Sequence, residues 1–117
     1  MTLEEIVNEL ALSVQTAPQK LQVEVTGGYA SDLLSRVMAM AKKGNLWITL
    51  QSHPNIVAVA SLLDLAGVIV TEGRELDFGT AEKAEEKEVT ILTTDHSTFT
   101  IVSKLAQLGV AGSEARR

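Results

Sequence analysis

Cysteine is absent from the chain. That excludes disulfides, thiolate nucleophiles and thiolate metal sites. Aromatic residues make up only 3% against 45% hydrophobic residues overall, so a core must be packed from Val, Leu, Ile and Ala. Proline occurs only at Pro18 and Pro54, where each marks a boundary between elements. No apolar stretch spans a bilayer: the longest, Ile56 to Ala66, is interrupted by Ser61 and Asp64 and falls short of the ~20 residues required. Positive charge is in deficit, with 10 Lys and Arg against 15 Asp and Glu and a net charge of -5. An acidic surface repels phosphate backbones and anionic lipid heads, so neither nucleic acid nor membrane is expected as a partner. The first turn holds Glu4 and Glu5 with no basic segment leading into an apolar run, which does not read as a secretory signal. A soluble, cytoplasmic protein is the expectation. There is no GxxxxGK[ST] phosphate loop and no GxGxxG fingerprint, which argues against a P-loop kinase and a dinucleotide-dependent oxidoreductase.

What is present is an alternation of helical and strand patterns over 117 residues, a length that suits one domain. Thr2-Leu3-Glu4-Glu5 is a capping-box pattern, and Leu3, Ile6, Val7 and Leu10 follow at helical spacing, predicting a helix over about 3–11. Leu21, Val23 and Val25 alternate with Gln22, Glu24 and Thr26, predicting a half-buried strand that Gly27-Gly28 ends or bulges. A helix follows through Leu33, Leu34, Val37, Met38 and Ala41, with Lys42 and Lys43 in its last turn and Gly44 after it. Leu46–Leu50 is the next strand, then a helix over about 54–65 that is apolar on most faces, as expected of a buried element or a subunit contact. Val68–Val70 is a short central strand. A charged helix over 78–87 carries a weak apolar stripe of Phe78, Ala81 and Ala84, followed by a strand over Val89–Leu92. The last helix carries Ile101, Val102, Leu105 and Leu108, is capped by Asp95 or Ser97, and stops at Gly109. Residues 1–110 are expected to form a single α/β domain with a mostly parallel or mixed sheet of about four to five strands flanked by helices. Residues 111–117 are expected to be a flexible tail.

Several strand ends stop at polar loops before a helix, which is where α/β proteins gather ligand-binding groups. Thr26-Gly27-Gly28 reads either as a turn needing positive φ or as a place where a ligand approaches the backbone. His53 and His96 each follow a strand, and if those strands are neighbours the imidazoles meet near Asp95; otherwise they are two loop histidines. Ser97 reads as a helix cap, as do Ser31 and Asp32. Glu72 points into the same edge or is simply solvated. The run of Glu82, Lys83, Glu85, Glu86, Lys87 and Glu88 reads as a solvated helix face.

Thr26-Gly27-Gly28 with Tyr29-Ala30-Ser31-Asp32-Leu33-Leu34, and Trp47-Ile48-Thr49-Leu50-Gln51-Ser52-His53-Pro54-Asn55 through Ala60, together resemble the DRTGG domain family over about residues 3–109. The motif's acid and arginine positions are Glu24 and Val25 in this chain. The family is similar to the N-terminal domain of bacterial HPr kinase/phosphorylase and, more distantly, to that of Mur ligases. The resemblance implies a small α/β accessory module of the kind found beside CBS domains and within some phosphotransacetylases. It implies no kinase activity, because the kinase domain with its phosphate loop is absent.

The expected function is a non-catalytic regulatory or sensor domain. It would bind a small polar ligand, a nucleotide or phosphorylated metabolite, at an edge formed by Thr26, Gly27, Gly28, Gln51, His53, Asn55, Thr71, Glu72, Thr94, Asp95 and Ser97. No catalytic or metal-ligating residue is expected, and the sequence specifies no cofactor. The alternative is a protein-interaction module acting through homodimerisation or docking on a larger enzyme, motivated by the apolar helix over 54–65. A third expectation is a small enzyme using His53, Asp95 and His96.

Overall fold

Thr2 opens the first helix as its sequence predicts. In the computed structural model, which describes residues 1–115, the Thr2 hydroxyl accepts from the Glu5 N–H at 3.2 Å and the Glu5 carboxylate accepts from the Thr2 N–H at 2.8 Å. The hydrogen bond from the Thr2 backbone, and then that from its side chain, holds the Glu5 carboxyl below its ordinary value. This helix, α1 (Leu3–Leu10), buries Leu3, Ile6, Val7 and Leu10. The elements after it are β1 (Ser13–Val14), β2 (Gly27–Ala30), α2 (Leu34–Met40), β3 (Asn45–Thr49), α3 (Asn55–Leu63), β4 (Gly67–Val70), α4 (Thr80–Lys87), β5 (Ile91–Thr93) and α5 (Thr98–Gln107). Single 3-10 turns lie at Pro18–Lys20 and Ser113–Ala115.

The sheet order is β1-β5-β4-β3-β2. β2 to β5 run parallel and β1 pairs antiparallel with β5, giving the expected single α/β domain with a mixed five-stranded sheet. Each crossover from β2 through β5 steps one strand in the same direction, so right-handedness puts α2, α3 and α4 on one face. There Val37, Ile56, Val57, Ala60 and Ala84 pack on Trp47, Val68, Val70 and Ile91. On the other face α1 and α5 pack Leu3, Ile6, Leu10, Ile101 and Leu105 against Leu46, Ile48, Ile69 and Leu92. The alternation along β3 assigns Trp47 to the first face and its neighbours to the second. Trp47 is fully buried, and its Nε1–H donates to the Ser31 carbonyl at 2.8 Å. Among the described residues no helix is long and apolar enough to cross a membrane.

The strand expected over Leu21–Thr26 is corrected. Leu21, Val23 and Val25 are half-buried and Gln22, Glu24 and Thr26 exposed, as the alternation predicts. The ladder partner is different: the Leu3 N–H donates to the Val23 carbonyl and the Glu4 N–H to the Leu21 carbonyl, each at 2.9 Å. The segment therefore satisfies two of the donors that a helix leaves open at its first turn. The sheet strand begins only at Gly27. Phe78 also departs from expectation: it precedes α4 and is 97% exposed, so it contributes nothing to that helix's core stripe. Of the segment 111–117, residues 111–113 lie along β2. The Gly28 N–H donates to the Ala111 carbonyl at 2.9 Å, Gly112 bridges Gly28, and buried Ser113 donates to the Met40 carbonyl. Residues 116–117 lie outside the described residues.

Candidate functional site

Four parallel strands bring the ends of β2, β3, β4 and β5 to one edge of the sheet. After β4 the chain leaves for α4 on the first face, and after β5 for α5 on the second. Neighbouring strands whose exits diverge in this way open a crevice between the two loops. A groove of about 730 Å³ lies there, with Arg74, Glu75, Thr94, Asp95 and His96 from the two loops and Gln15 from beyond β1. Among the described residues Arg74 is its only Lys or Arg.

The two loops are joined backbone to backbone. The Glu72 N–H donates to the His96 carbonyl at 2.8 Å and the Gly73 N–H to the Thr94 carbonyl at 3.0 Å. Glu72 and Gly73 both have left-handed backbones, with φ of 67° and 69°. For Glu72 this conformation stores about 1–3 kcal/mol of strain. It places the Glu72 carboxylate over the start of α5, where it accepts from the Thr98 N–H at 3.1 Å. Ser97 caps the same helix, accepting from the Thr100 N–H at 3.1 Å. Thr71 is buried, and its hydroxyl meets that of Thr98 at 2.7 Å. The start of α5, a natural seat for an anion, is thus occupied by groups of the chain itself.

Thr71, Glu72, Thr94, Asp95 and Ser97 therefore come together at the crevice. Thr94 and Asp95 line the groove, while Glu72 and Ser97 are committed to α5. Gln51, His53 and Asn55 lie on the same edge but off the groove wall. Gln51 donates to the Asp32 carbonyl at 2.8 Å, and the Asn55 N–H donates to His53 Nδ1 at 3.0 Å, opening α3. The two parts of the edge are linked by Ser52, which donates to the Asp77 carboxylate at 2.8 Å and accepts from Arg74 Nη2 at 3.3 Å.

Thr26, Gly27 and Gly28 do not join them. Gly27 pairs with Asn45, the first residue of β3, whereas the groove edge lies beyond Thr49, about 13 Å further along the strand. The glycines are strand residues and neither has positive φ, so the turn reading is corrected as well. A Cβ on Gly27 would meet the Ala111 carbonyl oxygen at 3.1 Å and Asn45 Nδ2 at 3.3 Å. The close approach that this glycine permits is that of the chain's own residues 111–113. Thr26 binds the α2–β3 turn, donating to the Lys43 carbonyl at 2.8 Å and accepting from Asn45 Nδ2 at 3.1 Å.

His53 follows β3 and His96 follows β5, and β4 lies between them. The two strands are about 10 Å apart, so the condition for an imidazole pair is not met. Among the described residues no group of three His, Asp or Glu side chains could hold a metal ion.

Sequence reasoning missed Asp32, Arg74 and Asp77 as edge residues. Asp32 was expected to cap α2, but it reaches across to β3, where its Oδ1 accepts from the Thr49 hydroxyl at 2.8 Å and the Leu50 N–H at 2.7 Å. Placing β2 at Gly27–Ala30 would have revealed it, since Ser31-Asp32 then becomes the loop at the end of that strand.

The DRTGG domain family model matches residues 5–108. No curated protein matches the chain. The crystal structure of the CBS and DRTGG domains of the regulatory region of Clostridium perfringens pyrophosphatase, complexed with activator, diadenosine tetraphosphate, has a similar fold, with a TM-score of 0.72 at 20% identity. The likeness covers 91% of this chain and 46% of that one, so this chain spans less than half of that regulatory region.

Proposed function

Because this chain belongs to the DRTGG domain family, we propose that it is a regulatory domain with no catalytic step of its own, binding a small polar ligand in the groove between the β4 and β5 exits. The observation that carries this is the crevice itself: about 730 Å³ of groove at the edge where strands diverge, walled by hydroxyls, carboxylates and one arginine. Nucleotides are the first ligand class to test, since the structurally similar regulatory region was solved with diadenosine tetraphosphate. Arg74 is the residue proposed to hold the phosphate, with Thr94 and Gln15 supplying neutral hydrogen bonds. Kinship with the N-terminal domain of HPr kinase/phosphorylase and a cytoplasmic location belong to the same proposal; the first rests on the motif resemblance and the second on composition.

Thermal unfolding with nucleotides, sugar phosphates and divalent metals tests it. A ligand at a hundredfold excess over its Kd adds about 2.7 kcal/mol to the stability of the native state. Arg74→Ala should remove most of that gain. Arg74 is exposed and gives up only its hydrogen bond to Ser52, so the unliganded variant should melt within about 1.5 kcal/mol of the parent. A flat response of the parent across the whole panel would overturn the ligand reading.

We further infer that the domain pairs with a copy of itself. Uncharged exposed stripes on α3 (Asn55, Ala58, Ser61, Leu62) and α5 (Phe99, Val102, Ser103, Ala106) favour this in a chain of net charge -5, since other faces would bring like charges together.

A further inference from the structure

Three helices cover one face of the sheet and two cover the other, and the difference leaves a vacant slot. On the two-helix face β2 turns Gly28 and Ala30 outward, and among the described residues no α-helix lies over them. A groove of about 290 Å³ runs there, floored by Gly28, Ala30 and Ile48 and walled by Val102, Ala106 and Val110. Among the described residues Glu114 is the only charged one lining it.

α5 borders this slot with an apolar stripe that the core does not use. Ile101 and Leu105 are buried in the core. Phe99, Val102 and Ala106, spaced i, i+3, i+7, share another side of the helix. Phe99 is 83% exposed and Val102 40%. A helix with one buried and one unburied apolar stripe lacks a partner for the second.

We propose that the partner is α5 of a second copy, lying antiparallel in the slot about a two-fold axis beside Val102 and Ser103. The stripe fits itself in that arrangement. Residues 99 and 106 are equidistant from the axis, so each Phe99 ring meets the small Ala106 of the other copy and the groove beside it. A two-fold interface requires this kind of self-complementarity. Charge points the same way: the α4 face would set Glu82, Glu85 and Glu86 of two copies against one another, whereas the α5 stripe carries no charge. Burying both Phe99 rings removes about 300–500 Å² from water, roughly 15–40% of a standard interface of about 1,200–2,000 Å², and the slot walls contribute beyond that. α3 is the weaker candidate, because Ile56, Val57, Val59 and Ala60 are buried in the molecule's own core and only Leu62, 70% exposed, stands out.

The proposal rests on the self-association reading, and one experiment separates the two. Sedimentation equilibrium of the full chain is run for the parent, Phe99→Asp and Leu62→Asp up to high micromolar concentration. The parent should dimerise, and Phe99→Asp should raise the dissociation constant about a hundredfold or more, since each dimer loses two central anchors. Leu62→Asp should leave it unchanged. Both positions are exposed, so at concentrations too low for pairing the melting curves of the variants should follow the parent, and only where the parent pairs should Phe99→Asp melt below it. A parent that stays monomeric throughout overturns self-association itself. A dimer that withstands Phe99→Asp overturns this interface and leaves self-association standing.

Discussion

Glu5 is exposed, yet its carboxyl is held below the ordinary glutamate value by the Thr2 N–H and hydroxyl. The sign of the consequence is fixed by linkage. A carboxyl with a lower pKa in the folded chain contributes stability above its unfolded pKa and loses it as pH falls through the folded value. Chemical denaturation on the acid side should therefore show this contribution fading below the usual glutamate range, and Glu5→Gln should flatten that part of the profile. The capping box was legible because it lies within four consecutive residues. Gly27 and Gly28 show the opposite case. Their type announced a special backbone requirement, but the group approaching Gly27 is Ala111, and nothing near residue 27 in the sequence names it.

Among the elements, alternation told the truth about burial and misled about pairing. Leu21, Val23 and Val25 do face the core, but a period of two says only that one side is covered; it does not say which backbone lies alongside. Amide exchange checks where their hydrogen bonds go. First-turn amides of a helix ordinarily exchange readily, whereas Leu3 and Glu4, bonded to Val23 and Leu21, should be protected about as well as amides within α1. β1 escaped the sequence reading because two residues carry no period, and β2 because Gly27–Ala30 offers only Tyr29 and Ala30, adjacent residues that point to opposite faces. The longer elements, with caps and regular spacing, were legible within a few residues. The loops after β3, β4 and β5 could be assigned to one edge because each follows a strand whose direction is set by a crossover. The loop after β2 could not, since its strand had been placed too early.

For the molecule as a whole, the direction of winding decides where ligands and partners are expected. The single divergence of exits, between β4 and β5, makes the groove, and the missing third helix on the α1–α5 face makes the slot. The two lie at different parts of the molecule, so ligand binding and pairing are separable by mutation: Arg74→Ala should leave the dimer intact, and Phe99→Asp should leave the ligand shift intact. The edge that holds the groove was legible beforehand, but its place between the β4 and β5 exits and the place of the slot were not, because both depend on strand order, which individual residues do not record.

The pairing of Ser13 with Thr93 has a consequence for how the chain is made. β1 is synthesised well before its partner β5, and α1 likewise waits for α5. The α2–α3–α4 face can assemble strand by strand as the chain leaves the ribosome, while Leu3, Ile6, Val7 and Leu10 have no complete surface to rest on until Ile101 and Leu105 appear. Partly made copies should therefore present an apolar α1 to the cell until α5 has been made. A chain truncated before Ile91 should bind hydrophobic dyes and unfold without a sharp transition. An early dependence on chaperones would follow from sheet order alone.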